Sequence, residues 1–458
     1  MSIIEVPVSS RTVNRFPLAL QQEFLRMFDK GDEVGIFGPR YVHVDGWRIR
    51  GRVDIRTLQA ALNDVVTRHE SLRTAVVRDQ QEGYQVVAPP SPPLLRVREL
   101  RDVVDHERRI QELLNEEEYR EFSPQREVLL EATLVRFADD DNLLLLTAHH
   151  TATDAWSMPL IIRDLAACYA ARKGHRPAAL PEPSQYRDYV AHQLADSSRS
   201  LRVAREYWRD KLTGAEILAL PTDQPRSAGD WAEASWLRFA TEPERRAATV
   251  RTAARLRSSP FMILLAAYKV MLHRATGATD IVVPTFTPGR NEAIFQNSVG
   301  SFVNFLPLRT DVSGCRTFSD VVKQVRVTCM EAYQHEIPLA HILSEAPDLM
   351  NPAMRDDRAP CVFQVVQPPL LKDRELIGDL EYSAIWRREL SQPVGSYIPD
   401  GMLWCLHLGP TNDILANIAY SRGLFDDDRV ERSAAEFISL LGELAADPEV
   451  RLDRIRTS

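Results

Sequence analysis

The chain has 458 residues, a formal net charge of −8, 44% hydrophobic and 26% charged residues, with an isoelectric point of about 5.8. A mildly acidic chain without a Lys/Arg cluster argues against nucleic acid or an anionic membrane as the main partner. The length exceeds what one hydrophobic core normally serves, so two or more lobes are expected.

The opening MSIIEVPVSSRTVNRF has no basic flank leading into an apolar core, so no signal peptide is legible. RTLQAALNDVVTRHESLRTAV carries Leu58, Leu62, Val65 and Val66 at helical spacing. EVLLEATLVRFADDDNLLLLTAHH reads as two strands joined by the turn ADDDN. SMPLIIRDLAACYAARKG reads as a helix, with Pro159 in its first turn and Gly174 as its stop. KGHRPAALPEPSQYRDYV, rich in proline and small residues, is the best linker candidate and sets a lobe boundary near residue 180.

The second part repeats the style. SPFMILLAAYKVMLHRATG is a helix whose apolar run, broken by Lys269, suits a core rather than a membrane. DIVVPTF and SVGSFVNFLPLRTDV follow as strand-bearing segments, and an amphipathic helix behind an acidic cap closes the chain. Two α/β lobes are expected, 1–180 and 181–458, with bridging segments from the second to the first. Cys168, Cys315, Cys329, Cys361 and Cys405 are scattered without a CxxC pair, as expected of reduced thiols in a cytoplasmic protein.

The question of chemistry concentrates in HHTATDAWS, residues 149–157, where an apolar strand ends in two imidazoles and a carboxylate follows. Strand alternation sends His149 and His150 to opposite faces, so they do not share one role. One reading makes them hydrogen-bonded core residues, and this suits His149 best. A metal site is poorly served, because adjacent histidines chelate badly and no further His or Cys sits at ligand spacing. The third reading makes His150 a catalytic imidazole. Asp154, near a helix N-terminus where carboxylates are favoured, then orients the loop or simply caps the helix. No GxSxG accompanies Ser157, which excludes a serine hydrolase of that type.

HHTATDAWS resembles the HHxxxDG signature of the condensation-domain superfamily, whose members include the condensation domains of nonribosomal peptide synthetases. FPLALQQEFLRM, with Gln21 and Arg26, resembles the first family motif, and RHESLRTAV, with Arg68, His69, Glu70, Leu72, Arg73 and Thr74, the second. YRDYVAHQ resembles the fourth, VGSFVNFLPLR, with Gly300, Phe302, Val303, Asn304 and Arg309, the fifth, YQHEIPLAHIL the sixth and RDDRAPCVFQV the last. These segments span most of the chain in the family's order.

The resemblance implies two chloramphenicol-acetyltransferase-like lobes in a V-shaped pseudo-dimer, with the active site in a tunnel between them. It implies that a carrier-protein thioester enters on a phosphopantetheine arm and that an amine or alcohol attacks it, giving an amide or ester. His150 then sits at the reaction centre beside His149, and Asp154 pairs with Arg290 of PGR. Arg73 is expected in a buried salt bridge supporting the motif loop, or in a functional role. Asn304 either lines the tunnel or closes a strand end. Trp156 is expected in the core, with backbone N–H groups near Ala155 and Trp156 available to an oxyanion.

The family's glycine is replaced by Ala155. If that position needs a positive φ, alanine costs about 1 kcal/mol; if it needs only a small side chain, alanine is harmless, and the second is expected. With no carrier or adenylate-forming segment visible, a freestanding, monomeric natural-product enzyme without bound cofactor or metal is expected, taking a carrier protein and a small-molecule acceptor as partners. The rivals are an acyl-CoA-dependent O-acyltransferase and a non-catalytic recruiting member of the fold, which usually lacks the second histidine.

Overall fold

The computed structural model describes residues 15–78, 83–176, 179–228, 233–366, 374–398 and 401–455. The N-terminal stretch up to residue 14, read above for a signal peptide, lies outside the described residues, as do residues 177–178 of the linker candidate.

The first lobe is built on a mixed six-stranded sheet. Its central strand, Asp141–His149, is buried at all nine positions and lies antiparallel to Val42–Arg50 on one side and Leu130–Arg136 on the other. That burial on both faces is why the sequence shows four consecutive leucines rather than alternation. Leu94–Glu99 forms one edge, parallel to Leu130–Arg136. The other edge is a hairpin from far along the chain, Glu375–Ile377 and Leu380–Ala384, which pairs with Val42–Arg50. Helices Ile55–Arg68 and Ser157–Arg172 cover one face, and the predicted stripe Leu58, Leu62, Val65 and Val66 is buried between them and the sheet.

The second lobe has a five-stranded sheet in the order Ala219–Pro221, Arg358–Val366, Met402–His407, Leu415–Ser421, Ala234–Ala240. A two-stranded ribbon, Asp280–Thr287 with Asn304–Asp311, accompanies it. The helix Pro260–Thr276 runs through its core, and Lys269 there donates to the carbonyls of Ile281 (2.9 Å) and Leu308 (2.6 Å) and to Thr310 Oγ1 (3.0 Å). A buried ammonium is tolerated because its three protons all find acceptors.

Bridging runs in both directions. The hairpin Glu375–Ala384 completes the first sheet, while Phe24 and Leu25 of the helix Leu20–Arg26 join the core of the second lobe. The linker candidate is corrected at its C-terminal end. Tyr186–Ala195 is a helix, and Tyr186, Tyr189 and Val190 are buried against Phe295 and Phe302. Its proline-rich composition describes only the approach to that helix.

Candidate active site

His149 is the last residue of its strand, and His150 begins the loop to the helix Ser157–Arg172. The two rings part company, as alternation requires. His149 is fully buried, with Nε2 3.0 Å from the Gly38 carbonyl and Nδ1 2.8 Å from Thr151 Oγ1. Burial pushes it down to about 4, so it is a neutral structural imidazole. The expectation that His149 shares the reaction centre is corrected: both of its nitrogens are already engaged.

His150 turns the other way, into a cavity of about 300 Å³ lined by both lobes. Its backbone N–H donates to the Tyr41 carbonyl at 2.8 Å, and its ring stacks on Tyr41 at 4.7 Å between centroids, 14° from parallel. Nδ1 is buried without a hydrogen-bond partner. Burial, reinforced by the nearby His43, pushes this ring down to about 4 as well, so its neutral form prevails at ordinary pH.

Asp154 holds the loop rather than the ring. Oδ2 accepts from Arg290 Nη1 at 2.7 Å and from the Phe302 N–H at 3.0 Å. Oδ1 accepts from Arg290 Nη2 at 3.0 Å and from the Ser157 N–H and hydroxyl at 2.9 and 2.8 Å. Burial alone would raise the Asp154 carboxyl; the Arg290 charge and these donors outweigh it and hold it below the usual range. The forked pair joins the motif loop of the first lobe to the 288–302 segment of the second. Arg290 reaches it because Gly289, at φ +61°, lets the chain pass where a Cβ would stand 2.0 Å from the Phe302 carbonyl oxygen. Gly300 is required by packing, since a Cβ there would meet the Tyr186 ring at 2.3 Å.

The remaining expected residues divide. Ala155 is exposed at the cavity wall and its φ is not positive, so the departure from glycine brings no backbone strain. Asn304 meets both readings: it lines the cavity and also closes a strand end, donating to the Ile337 carbonyl (2.9 Å) and accepting from the Leu339 N–H (3.0 Å). Trp156 is corrected. It is half-buried, packs against the first core and donates Nε1 to the Gln296 carbonyl at 3.1 Å, clamping the lobes outside the cavity. Arg73 is also corrected. It donates to the carbonyls of Val66 (3.2 Å), Ala88 (2.6 Å) and Thr67 (3.4 Å), with Glu70 3.9 Å away, and does not reach the motif loop. Elsewhere in that segment, Arg68 and His69 both contact Asp164 on the helix that follows the loop, each at 2.9 Å.

Several cavity residues were not singled out in the sequence. His43 and Asp45 project from one face of Val42–Arg50, with Nε2 and Oδ2 3.4 Å apart. YVHVDGW carried the signal, an imidazole and a carboxylate two residues apart on a strand. Glu118 accepts from Arg238 (2.8 Å), Gln392 (2.6 Å) and Arg388, and the two arginines hold it at about 2 against the cost of burial. Cys405 and His407 lie 3.3 Å apart, a spacing that invites a nucleophile–base reading. Burial raises the thiol to about 12 and lowers the imidazole to about 4, both moves against an ion pair, so the couple is inert. Among the described residues no cluster of three or more His, Cys, Asp or Glu side chains could hold a metal ion, and no helix is long and apolar enough to cross a membrane.

The Condensation domain family matches residues 38–359. One chain of the linear gramicidin synthase of Brevibacillus parabrevis is 33% identical over 449 residues, covering 96% of this chain but 9% of that protein. The crystal structure of SgcC5 from Streptomyces globisporus, in complex with (R)-(-)-1-(2-naphthyl)-1,2-ethanediol and sucrose, superposes with a TM-score of 0.92 at 45% identity, covering 95% of this chain and 100% of that one. The X-domain from teicoplanin biosynthesis is similar at 25% identity and a TM-score of 0.78, covering 98% and 99%.

Proposed function

The chain belongs to the condensation-domain family, and from that premise we propose that it transfers an acyl group from a carrier-tethered thioester to the hydroxyl of a small-molecule alcohol. The fold is the two-lobed, chloramphenicol-acetyltransferase-like one, and condensation domains act on carrier-tethered substrates and form amide bonds as a class. The carrier's phosphopantetheine arm is then the donor, with no cofactor of the enzyme's own. The match across all of SgcC5 supports a freestanding enzyme, and the diol bound in that structure supports an alcohol acceptor.

The observation that carries the reading is His150: a neutral imidazole whose ring lines a cavity walled by both lobes. A thioester is already activated, so no covalent enzyme intermediate is needed. The acceptor oxygen attacks the thioester carbonyl; the C–O bond forms, and the hydroxyl proton passes to His150. The tetrahedral oxyanion collapses, the C–S bond breaks, and the proton returns to the departing sulfur. An alcohol is a weak nucleophile, and general-base assistance is worth about 100- to 10,000-fold. An imidazole held near 4 is a weak base toward a free alcohol, so its proton uptake comes late, as the C–O bond forms and the alcohol proton becomes acidic. Backbone N–H groups at the helix start beside Ala155 are the donors available to the developing oxyanion.

The cavity suits an amphiphilic acceptor. Its lining includes Phe24, Phe286, Phe305 and Leu339, which also wall an adjoining apolar pocket, and the polar His43, Asp45, Arg388 and His407. Intact-mass analysis of an acyl-loaded carrier incubated with 1-(2-naphthyl)-1,2-ethanediol tests the reading. Acyl transfer to the diol that disappears in His150→Ala is expected. Transfer only to amines, transfer from acyl-CoA in preference to the carrier, or full activity in His150→Ala would overturn it.

A further inference from the structure

The cavity holds a second imidazole that the reaction above leaves unused. His43 faces His150 with ring centroids 5.9 Å apart, planes inclined at 55°. Centroids at that distance put facing ring atoms roughly 3.6 Å apart or more, so an oxygen can sit to the side of the line between the rings and hydrogen-bond at about 2.8 Å to each. Asp45 lies behind His43, Nε2 to Oδ2 3.4 Å.

Resting on the acyl-transfer reading, we propose that His43, oriented by Asp45, holds the acceptor hydroxyl against His150 and selects hydroxyl over amino acceptors. A hydroxyl oxygen has one proton and two lone pairs. It donates to His150, accepts from His43, and keeps a lone pair for the carbonyl carbon. A primary amine has one lone pair, and a donor placed on it removes the nucleophile; if the amine is protonated it meets a cation instead.

The surroundings favour His43 as a donor. Burial works against its charge, but Asp45 on its own strand, Asp154 on the motif loop and Glu118 on the helix His106–Tyr119 together raise it above its ordinary value. Arg388 and His407, from the second lobe, act on Asp45 and hold that carboxyl low, as His43 itself does, against the cost of burial. With one N–H on Asp45, a protonated His43 has a second to give. His150, next to it, is pushed down, so the two rings are set as donor and acceptor. Asp45 acts through His43 and is a positioning residue.

The test is calorimetric binding of two isosteric probes, 1-(2-naphthyl)-1,2-ethanediol and 2-amino-1-(2-naphthyl)ethanol, to the full chain without donor. The wild type is expected to prefer the diol by about tenfold, the value of one hydrogen bond from a charged donor. His43→Ala is expected to abolish the preference, His43→Gln, which keeps a neutral N–H, to retain part of it, and Asp45→Asn to reduce it. A merely structural role would weaken both probes equally. Equal binding of the probes by the wild type, or an unchanged preference in His43→Ala, overturns the proposal. Because no thioester is present, the preference can survive where carrier-dependent transfer fails, and the reverse, so the two readings fall separately.

Discussion

Each lobe contains the same local unit, a central antiparallel strand running through a short loop into a long helix, and the two units have been used differently. In the first lobe the strand Asp141–His149 passes through residues 150–156 into the helix Ser157–Arg172; in the second, Leu415–Ser421 passes through residues 422–426 into Asp427–Ala446. Both helices begin beside an aspartate. The second loop is anchored by apolar side chains, Leu424 and Phe425, sunk in the core, and Asp427 meets Tyr420 Oη (2.7 Å) and Arg422 (3.4 Å) at the surface. The first loop buries polar ones, Thr151, Thr153 and Asp154, and fastens them across to Arg290. The apolar anchor asks only for space. The polar anchor fixes direction, because each buried donor and acceptor has to meet its partner, and direction is what His150 needs.

The largest effect should come from the residue that has no counterpart in the second unit. His150→Ala is expected to lower the rate of acyl transfer by about 100-fold or more, followed by mass spectrometry of the loaded carrier, with little change in the unfolding midpoint. Nearly as large is the loss of the anchor itself. Arg290→Met leaves the Asp154 carboxylate buried without its cation, at a cost of about 3–5 kcal/mol in denaturant unfolding. The matched change in the other unit, Asp427→Ala, removes a half-exposed partner and is expected to cost about 0–1 kcal/mol. If the two costs come out equal, the contrast between the loops is wrong.

Acid sharpens the same contrast. His149 is held at about 4 in the folded protein, below the value of about 6.5 in an unfolded chain. Between those values the unfolded chain binds the proton that the folded one refuses, so stability is full above about 6.5 and falls as pH drops towards 4, by on the order of 3 kcal/mol for this one ring. Urea titrations at pH 7 and pH 5 are expected to show about 2 kcal/mol of that loss in the wild type and a shallower one in His149→Asn, whatever the offset at neutral pH. An unchanged slope would mean that His149 carries its proton in the folded state.

How much of this was legible depended on sequence distance. Local periodicity marked the helices Ile55–Arg68, Ser157–Arg172 and Pro260–Thr276, and the double histidine marked its own strand end. The Asp154–Arg290 pair, 136 residues apart, was reached only through resemblance, because nothing local to PGR says where its arginine points. The hairpin that completes the first sheet was not legible, since Glu375–Ile377 and Leu380–Ala384 find their partner in a strand more than 300 residues earlier. Arg73 was misplaced for a related reason. An arginine in a motif suggests an ion pair, yet its acceptors are backbone carbonyls, Ala88 and two at a helix end a few residues away. His43 and Asp45 were visible as alternation but acquire meaning only when His150 and Arg388 close around them.

The smallest change bears on the one position where the first loop departs from its family's glycine. Ala155 is exposed to the cavity, and its backbone lies outside the left-handed region. Ala155→Gly therefore relieves no strain, and the added freedom of the unfolded chain costs about 0.5–1 kcal/mol. It also removes one methyl from the wall beside His150. With the loop held by Asp154 and Arg290 rather than by this residue, the acceptor kcat/KM is expected to change by no more than about twofold, well within 1 kcal/mol of transition-state stabilisation. A gain of tenfold or more would show that the methyl occupies acceptor space, and that the polar anchor sets the direction of the loop but not the room in front of it.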